Sequence, residues 1–512
     1  MHTFRFPIRR AAALLSAALL SPGATAQELP PTLDLRAAIR LVLERSPEIE
    51  LQRYTESAAQ GIALSSRAPF DLVTSTTLGG TRDRRPLRAD ERARALAAGA
   101  DQLVDANAVT LGAARQLDSG VQLSGAYALT RAADNVQEAQ NIPRQTSDRL
   151  TFTVRVPLRK NPGRDQLAAR NATELEAVAA RRDTEQVVAR AVLGVVQAYW
   201  DWAARVAAAD VARGAEARMQ QLRRETEKLV AEDELPPAEL NLLTAAMTER
   251  ETARIGAQQR ARDGRYALGR LYGMGALETE QLPPPIEALP ERAAAPGLEA
   301  LGPQAMERRA DLAALRLREQ AMAERLAAAR SNNQPVVDLD LSAYYAGLRE
   351  GARPVSAAFD PTSHRAGPGV AARLSVQLPL ENSANNGALR TAAANADSAR
   401  VRRSTQEQTV QGNVAAAYLG YHSYVAQLRA SEQTIERYRA ALRDTLTKRQ
   451  LGSATLIDVL NVEDRLNNAI LARLQYQQGY ALARAQILYE SGALLRTAPD
   501  GTLSVALDEL LP

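Results

Sequence analysis

The heptapeptide FTVRVPL, residues 152–158, returns almost position for position as LSVQLPL, residues 374–380. Both copies alternate apolar and polar residues, stop at a proline, and pass through a glycine-containing turn into a long alanine-rich stretch. Period two is the signature of a strand with one apolar face, and proline suits the end of such a strand. The alanine-rich stretches place apolar residues at three- and four-residue steps, as in Val425, Leu428, Ile435, Tyr438, Leu442 and Leu446, which is helix spacing suited to coiled-coil packing. A strand feeding a very long helix, used twice, is the unit from which the rest of the chain is read.

Matches extend outward from this pair. Ala198-Tyr199-Trp200 corresponds to Ala417-Tyr418-Leu419, and Pro237-Ala238-Glu239-Leu240 falls where Leu456-Ile457-Asp458-Val459 falls. Upstream, Ser46-Pro47-Glu48-Ile49 answers Arg309-Ala310-Asp311-Leu312, and Pro69 answers Pro335. The chain reads as a tandem duplication, with repeats over residues 27–275 and 303–495, a Pro-rich linker over 276–302 and a tail over 496–512. Each repeat is expected to hold a helix (33–67; 303–331), a β section (about 70–158; 336–380), a long helix (164–232; 387–450), a break at 233–237 or 451–454, and a shorter helix (238–272; 455–493). The long helices would reach roughly 100 Å at 1.5 Å per residue. The two shorter helices of each repeat can stack end to end along the long one, giving a two-layered spindle.

The β sections supply four strands from the first repeat, including a hairpin joined at Asp118-Ser119-Gly120, and two from the second. Alternation with one polar face is what a transmembrane barrel strand needs. Six strands are fewer than the eight of the smallest closed barrels, so one chain cannot close a barrel and must oligomerise. The fold class expected from the residues is mainly α with β, built from two tandem repeats: strands that close a β-barrel only as an oligomer, joined to long coiled-coil helices.

Composition agrees. Of 512 residues only 4% are aromatic, while alanine, leucine, arginine, glutamine and glutamate dominate, as in long helices. Residues 1–26 combine a basic start, a short apolar run and Ala24-Thr25-Ala26, the pattern of a cleaved signal peptide. Its removal takes Arg5, Arg9 and Arg10 and lowers the formal charge from +4 to +1, leaving no basic patch to suggest nucleic acid. Without cysteine the chain has no disulfide and no residue to carry a lipoprotein anchor. No later stretch suits a transmembrane helix, so membrane entry would have to be as β-barrel. Only His364 and His422 remain beyond the leader, and no metal, phosphate-binding or nucleophile motif accompanies them. Catalytic residues, metal ligands and cofactors are therefore not expected, and His422 reads as a packing residue.

Leu33-Asp34-Leu35-Arg36-Ala37-Ala38-Ile39 with Ser46-Pro47-Glu48-Ile49, the paired V-x-V-P-L and V-x-L-P-L strands, Glu307-Arg308-Arg309-Ala310-Asp311-Leu312, and Gly452 through Asp458-Val459-Leu460 resemble the TolC-like family of outer-membrane efflux proteins. The resemblance covers both repeats and rests on the order and duplication of these motifs. It implies a homotrimer embedded in outer-membrane lipid, with a helical barrel crossing the periplasm. A closing tip would meet a periplasmic adaptor protein and an inner-membrane pump or ABC exporter. The family uses four barrel strands per protomer, hence twelve; the extra hairpin departs from that and leaves eighteen open. Ala310 stands where the family usually has proline.

The resemblance also marks the tip. An acid at the position of Asp458 lines the family's aperture, and another follows three residues on, where this chain has Asn461. Arg449 and Ala454 occupy the places of the tyrosine and arginine that latch the tip in the best-known members. The turns are Pro236 and Pro237 in one break and Gly452 and Ser453 in the other. From the residues alone, Thr455 with Asp458 fits a capping box, and Glu239 after the two prolines fits the same helix-start logic. Arg449 and Lys448 are expected to pair with the acidic run Glu232-Asp233-Glu234.

The function expected is an outer-membrane exit duct of a tripartite efflux pump or a type I secretion system. The alternative is a periplasmic coiled-coil scaffold or adaptor without a barrel, and an exported helical enzyme would need a constellation the chain lacks. Extraction separates the first two: a duct stays with membranes in carbonate or high salt and needs detergent, whereas release without detergent would defeat the channel reading.

Overall fold

The computed structural model describes residues 30–95, 101–159, 162–290, 297–351, 366–497 and 503–506. The leader at 1–26 and His364 lie outside them. The first repeat runs α1 (Leu35–Arg45), α2 (Pro47–Ser65), β1 (Val73–Pro86), α3 (Ala89–Ala95), β2 (Asp101–Gln116), β3 (Gln122–Asp134), α4 (Asn135–Ala139), β4 (Gln145–Pro157), α5 (Pro162–Ala231) and α6 (Ala238–Leu271). The short α7 (Ala276–Glu280) follows. The second repeat runs α8 (Leu298–Arg308), α9 (Ala310–Asn332), β5 (Val336–Glu350), β6 (Ala366–Gln377), α10 (Ser383–Gln450) and α11 (Leu456–Glu490), and a small hairpin of β7 (Leu495–Thr497) and β8 (Leu503–Val505) ends the described chain. The architecture is mainly α with β, as the sequence leads one to expect.

The six strands β1 to β6 form one antiparallel sheet in chain order. Directly paired residues project to the same face, and here the register sorts most of the side chains. Thr76, Leu111, Tyr127, Leu150 and Tyr345 form one row, with Leu78, Val109 and Leu129 in the next. Phe152, Ala343 and Val370 continue that face, as do Val156, Leu339 and Leu374. The opposite face carries Thr77, Thr110, Ala128, Arg149 and Ala346 in one row and Arg155, Asp340 and Arg373 in another. The Leu78 row runs on to Asp148 and Gly347, so the middle of this face is apolar apart from that one acid, while the other face is small or charged.

Strand leads straight to helix at four points. α2 precedes β1, β4 precedes α5, α9 precedes β5, and β6 precedes α10. The helices near the sheet pack in the row α2, α5, α9, α10, the same order as the strands they join. α5 has 70 residues and α10 has 68, about 100 Å each. Farther along, α6 packs on α5, and α11 lies between α10 and α5. The main core sits midway, where Trp200, Trp202 and Tyr199 of α5 are buried against Leu35 and Ile39 of α1, Leu268 of α6 and Ala485 and Leu488 of α11. Its counterpart in the second repeat gathers Leu301, Leu312, Val414, Tyr421 and Tyr480.

The sequence suggests one continuous helix at the start of each repeat; both are broken instead, at Ser46 and at Arg309. The two break residues share nearly one backbone conformation, φ −63°, ψ 120° and φ −67°, ψ 124°. In the first repeat Pro47 enforces it, because a residue preceding proline is driven out of the helical region. In the second repeat Ala310 exerts no such force. There the buried Arg309 guanidinium bonds Asp311 at 2.8 Å and Glu490 of α11, which closes the bend ionically. Each bend also rests on a left-handed glycine: Gly273, φ +70°, against Pro47, and Gly492, φ +70°, against the Arg308–Arg309 backbone.

Burial alone would depress the Arg309 guanidinium, but Asp311 and Glu490 more than offset it and hold it raised. Burial likewise acts to raise Asp311, yet Arg309, Gln406 and the Leu312 amide bring it below its ordinary value. A depressed carboxyl contributes stability above its unfolded pKa and loses it as pH falls through the folded value, so this joint is tight at neutral pH. Arg309→Met leaves the buried Glu490 and the half-buried Asp311 without their cation and is expected to cost about 3–5 kcal/mol. Guanidinium unfolding checks this, and Arg309→Met with Glu490→Met should recover part of the loss.

Candidate functional site

Both helix breaks lie at the end of the long helices remote from the sheet, and they touch. α5 stops at Ala231, and the chain reverses through Asp233 in the left-handed region, φ 56°, then Pro236 and Pro237 before α6. α10 stops at Gln450 and turns through Gly452, φ 67°, with the Ser453 amide donating to the Lys448 carbonyl at 2.8 Å. A left-handed glycine just past a helix end costs little, because it has no Cβ to clash. Leu456, the first residue of α11, is buried with Met219 of α5 and Leu243 of α6, and Leu460 and Met247 pack around them. This small apolar cluster pins one break against the other.

Thr455 and Asp458 form a complete capping box. The Asp458 amide donates to Thr455 Oγ1 at 3.2 Å, and the Thr455 amide and hydroxyl donate to Asp458 Oδ2 at 2.9 and 2.7 Å. Those two bonds from Thr455 hold the Asp458 carboxyl below its ordinary range, so it is ionised at neutral pH. The carboxylate is nevertheless exposed, and so is Asn461 one turn on. Val459 and Glu463, between and beyond them, turn inward. Asp458 and Asn461, three residues apart, therefore share a face of α11 that the chain's own helices leave uncovered.

Glu239 stands in the first turn of α6, where the helix dipole favours an acid, but no side-chain cap bond forms there. Its carboxylate instead lies 3.5 Å from the Arg449 guanidinium, an ion pair longer than a good hydrogen bond. Arg449 also donates to Thr226 Oγ1 of α5 at 2.9 Å. The acidic run 232–234 is exposed, and Arg449 turns to Glu239 rather than to it. The reason is geometric: the prolines carry the chain back so that the start of α6, not the loop, faces α10.

Three contacts were not legible from sequence. Thr226 is wholly buried within the charged stretch RRETEK, and nothing in its neighbours marks it. Arg218 reaches Glu463 at 2.8 Å, and Arg250 pairs with Asp464, tying α11 to α5 and α6 just above the tip. His422 lies elsewhere on α10, with its ring 4.4 Å from that of Tyr418, a packing contact.

At the opposite end, the polar face of the sheet carries the Arg155–Asp340 ion pair at 2.6 Å, and Arg149 stands 4.7 Å over the Tyr344 ring. Among the described residues no helix is long and apolar enough to cross a membrane.

No curated protein sequence matches the chain. Residues 301–492 match the family described as outer membrane efflux protein. Among solved structures, the outer membrane protein VceC from Vibrio cholerae shares 19% identity over 90% of this chain and 96% of that one, with a TM-score of 0.65. The Campylobacter jejuni CmeC outer membrane channel shares 11% identity over 90% of this chain and 85% of that one, TM-score 0.65. The open state of the Neisseria gonorrhoeae MtrE outer membrane channel shares 16% over 90% and 89%, TM-score 0.60. At such identities the likeness to these channels is one of fold. The second repeat thus matches the outer membrane efflux protein family in sequence, and the chain as a whole shares the fold of these outer-membrane channels.

Proposed function

We propose that this protein is the outer-membrane exit duct of an efflux pump. The observation that carries the reading is the sheet, apolar on one face and polar on the other, running directly into helices of about 100 Å. The apolar face suits lipid, the polar face suits a water-filled bore, and the helices suit a tube long enough to span the periplasm. Energy would come from an inner-membrane partner through a periplasmic adaptor docked on the helices.

The duct is a homotrimer in this reading. Support comes from both flanks of the single chain: β1 and β6 are sheet edges, and α2 and α10 bound the helix row below them. Leu51, Tyr54, Ile62 and Leu64 are exposed on α2, and Val401 and Leu419 on α10. Uncovered apolar residues on two opposite flanks suit contact between copies of one chain around a closed ring.

The tip is the gate. Three copies of Asp458 around the axis would form an anionic ring, and three of Asn461 a neutral one beside it. The Arg449–Glu239 pair is the latch, holding the end of α10 to the start of α6 within each protomer. Asp458→Asn retains an oxygen to accept from Thr455 but removes the charge, so planar-bilayer recordings are expected to show reduced cation selectivity and weaker divalent block; unchanged selectivity would remove the ring. Because the Asp458 carboxyl is depressed, the charge and cap persist through mild acid and are lost only as pH falls through the lowered value. Arg449→Glu sets two carboxylates against each other and is expected to raise single-channel conductance, with closure restored by adding Glu239→Arg. Conductance unaltered by the reversal would eliminate the latch.

A further inference from the structure

We propose that the β2–β3 hairpin is part of the membrane wall, so that three copies close a barrel of eighteen strands, each copy's β6 edge pairing with the β1 edge of the next. The inference rests on the trimeric duct reading and adds what that reading leaves open: the number of strands, and hence the width of the exit.

The ladders settle the hairpin's place within one copy. β1 pairs with β2 over its whole length and β3 pairs with β4, so β1 and β4 are not neighbours anywhere in the sheet. A hairpin folded into the bore or lying on the surface would leave β1 and β4 to pair with each other. The strands are also long enough to span: β2 has 16 residues and β3 has 13, against the ~9–11 that a tilted transmembrane strand needs.

The side chains agree with a wall position. Leu111 and Tyr127 share the apolar face with Leu150 of β4, while Thr110 and Ala128 share the opposite face with Arg149. An inserted plug surrounded by water has no reason to keep one face apolar at alternate residues. The inward face is built of small residues, Ala108, Thr110 and Gly112 on β2 and Ala126 and Ala128 on β3, which add perimeter without obstructing the bore.

The turn of the hairpin is seated on the helical tube. Asp118 pairs with Arg170 of α5 at 3.0 Å, Gln116 bonds Gln166, and the Arg170 guanidinium stands 4.8 Å over the Phe70 ring, just before β1. The added strands thus end level with the strand–helix junctions, where the wall of a barrel would meet the tube.

Barrel diameter grows roughly linearly with strand number, so eighteen strands give an exit about 1.5 times as wide as twelve. Beneath it the four junction helices of each copy, α2, α5, α9 and α10, supply only twelve staves. The duct therefore flares at the membrane, and selection of cargo by size falls to the helical tube and its tip.

The chain has no cysteine, so single nitroxide labels can be placed without altering it otherwise. Full-length protein carrying Leu111→Cys or Thr110→Cys is reconstituted in phospholipid vesicles, with Phe152→Cys and Thr153→Cys on β4 as reference. Collisions with oxygen and with a water-soluble nickel chelate are then compared. The expected result is a several-fold preference for oxygen at 111 and for nickel at 110, matching the contrast between 152 and 153. Contrast in the reference pair with nickel access at both 110 and 111 would overturn the wall position and leave the duct standing. Loss of contrast in both pairs would overturn the membrane duct itself. Electron cryomicroscopy of the trimer counts the strands directly: eighteen is expected, and a closed twelve refutes the proposal.

Discussion

An unpaired backbone amide cannot be left facing hydrocarbon, and that constraint governs this molecule from one end to the other. Five antiparallel ladders satisfy the interior of the sheet but leave β1 and β6 with one open edge each. Six strands are too few to curl the sheet upon itself. In the proposed homotrimer the remedy comes from other copies, and the helices repeat the problem in another form, since the row α2, α5, α9, α10 is also open at both ends with apolar residues showing. Because each junction strand continues into a junction helix, closing the sheet and closing the helical wall are one geometric event.

The duplication shows how one backbone shape can be maintained by unrelated forces. Ser46 and Arg309 hold almost the same dihedral angles. Proline imposes the bend locally at the first, through sterics that act in the unfolded chain as well. At the second the bend depends on a buried guanidinium and two carboxylates, Asp311 beside it and Glu490 brought from the distant end of α11. The first joint is therefore intrinsic to its dipeptide, while the second exists only once α11 has docked.

Much of the fold was legible because its signals are periodic and repeated. The strand pair at residues 152–158 and 374–380, the long alanine-rich helices and the six strands all follow from spacing of two or of three and four. The capping box at Thr455 and Asp458 was legible too, since a cap needs only four consecutive residues. What could not be read depends on which helix faces which. Arg449 has acidic residues within reach in two directions, and only the turn made by Pro236 and Pro237 decides for Glu239 over the exposed run before it. Thr226 and the kink at Arg309 were hidden for the same reason, because both acquire their roles from residues more than a hundred positions away.

Arg449, Glu239 and Thr226 all belong to one chain, so the contact between them crosses no subunit boundary. In a threefold assembly such a fastening can be released in one copy while the other two remain closed. Opening would then proceed through asymmetric states in which the ring loses its symmetry before it gains its full width. In the proposed trimeric duct such a tube would conduct in sublevels, and one adaptor engaged on one side would be enough to start its opening.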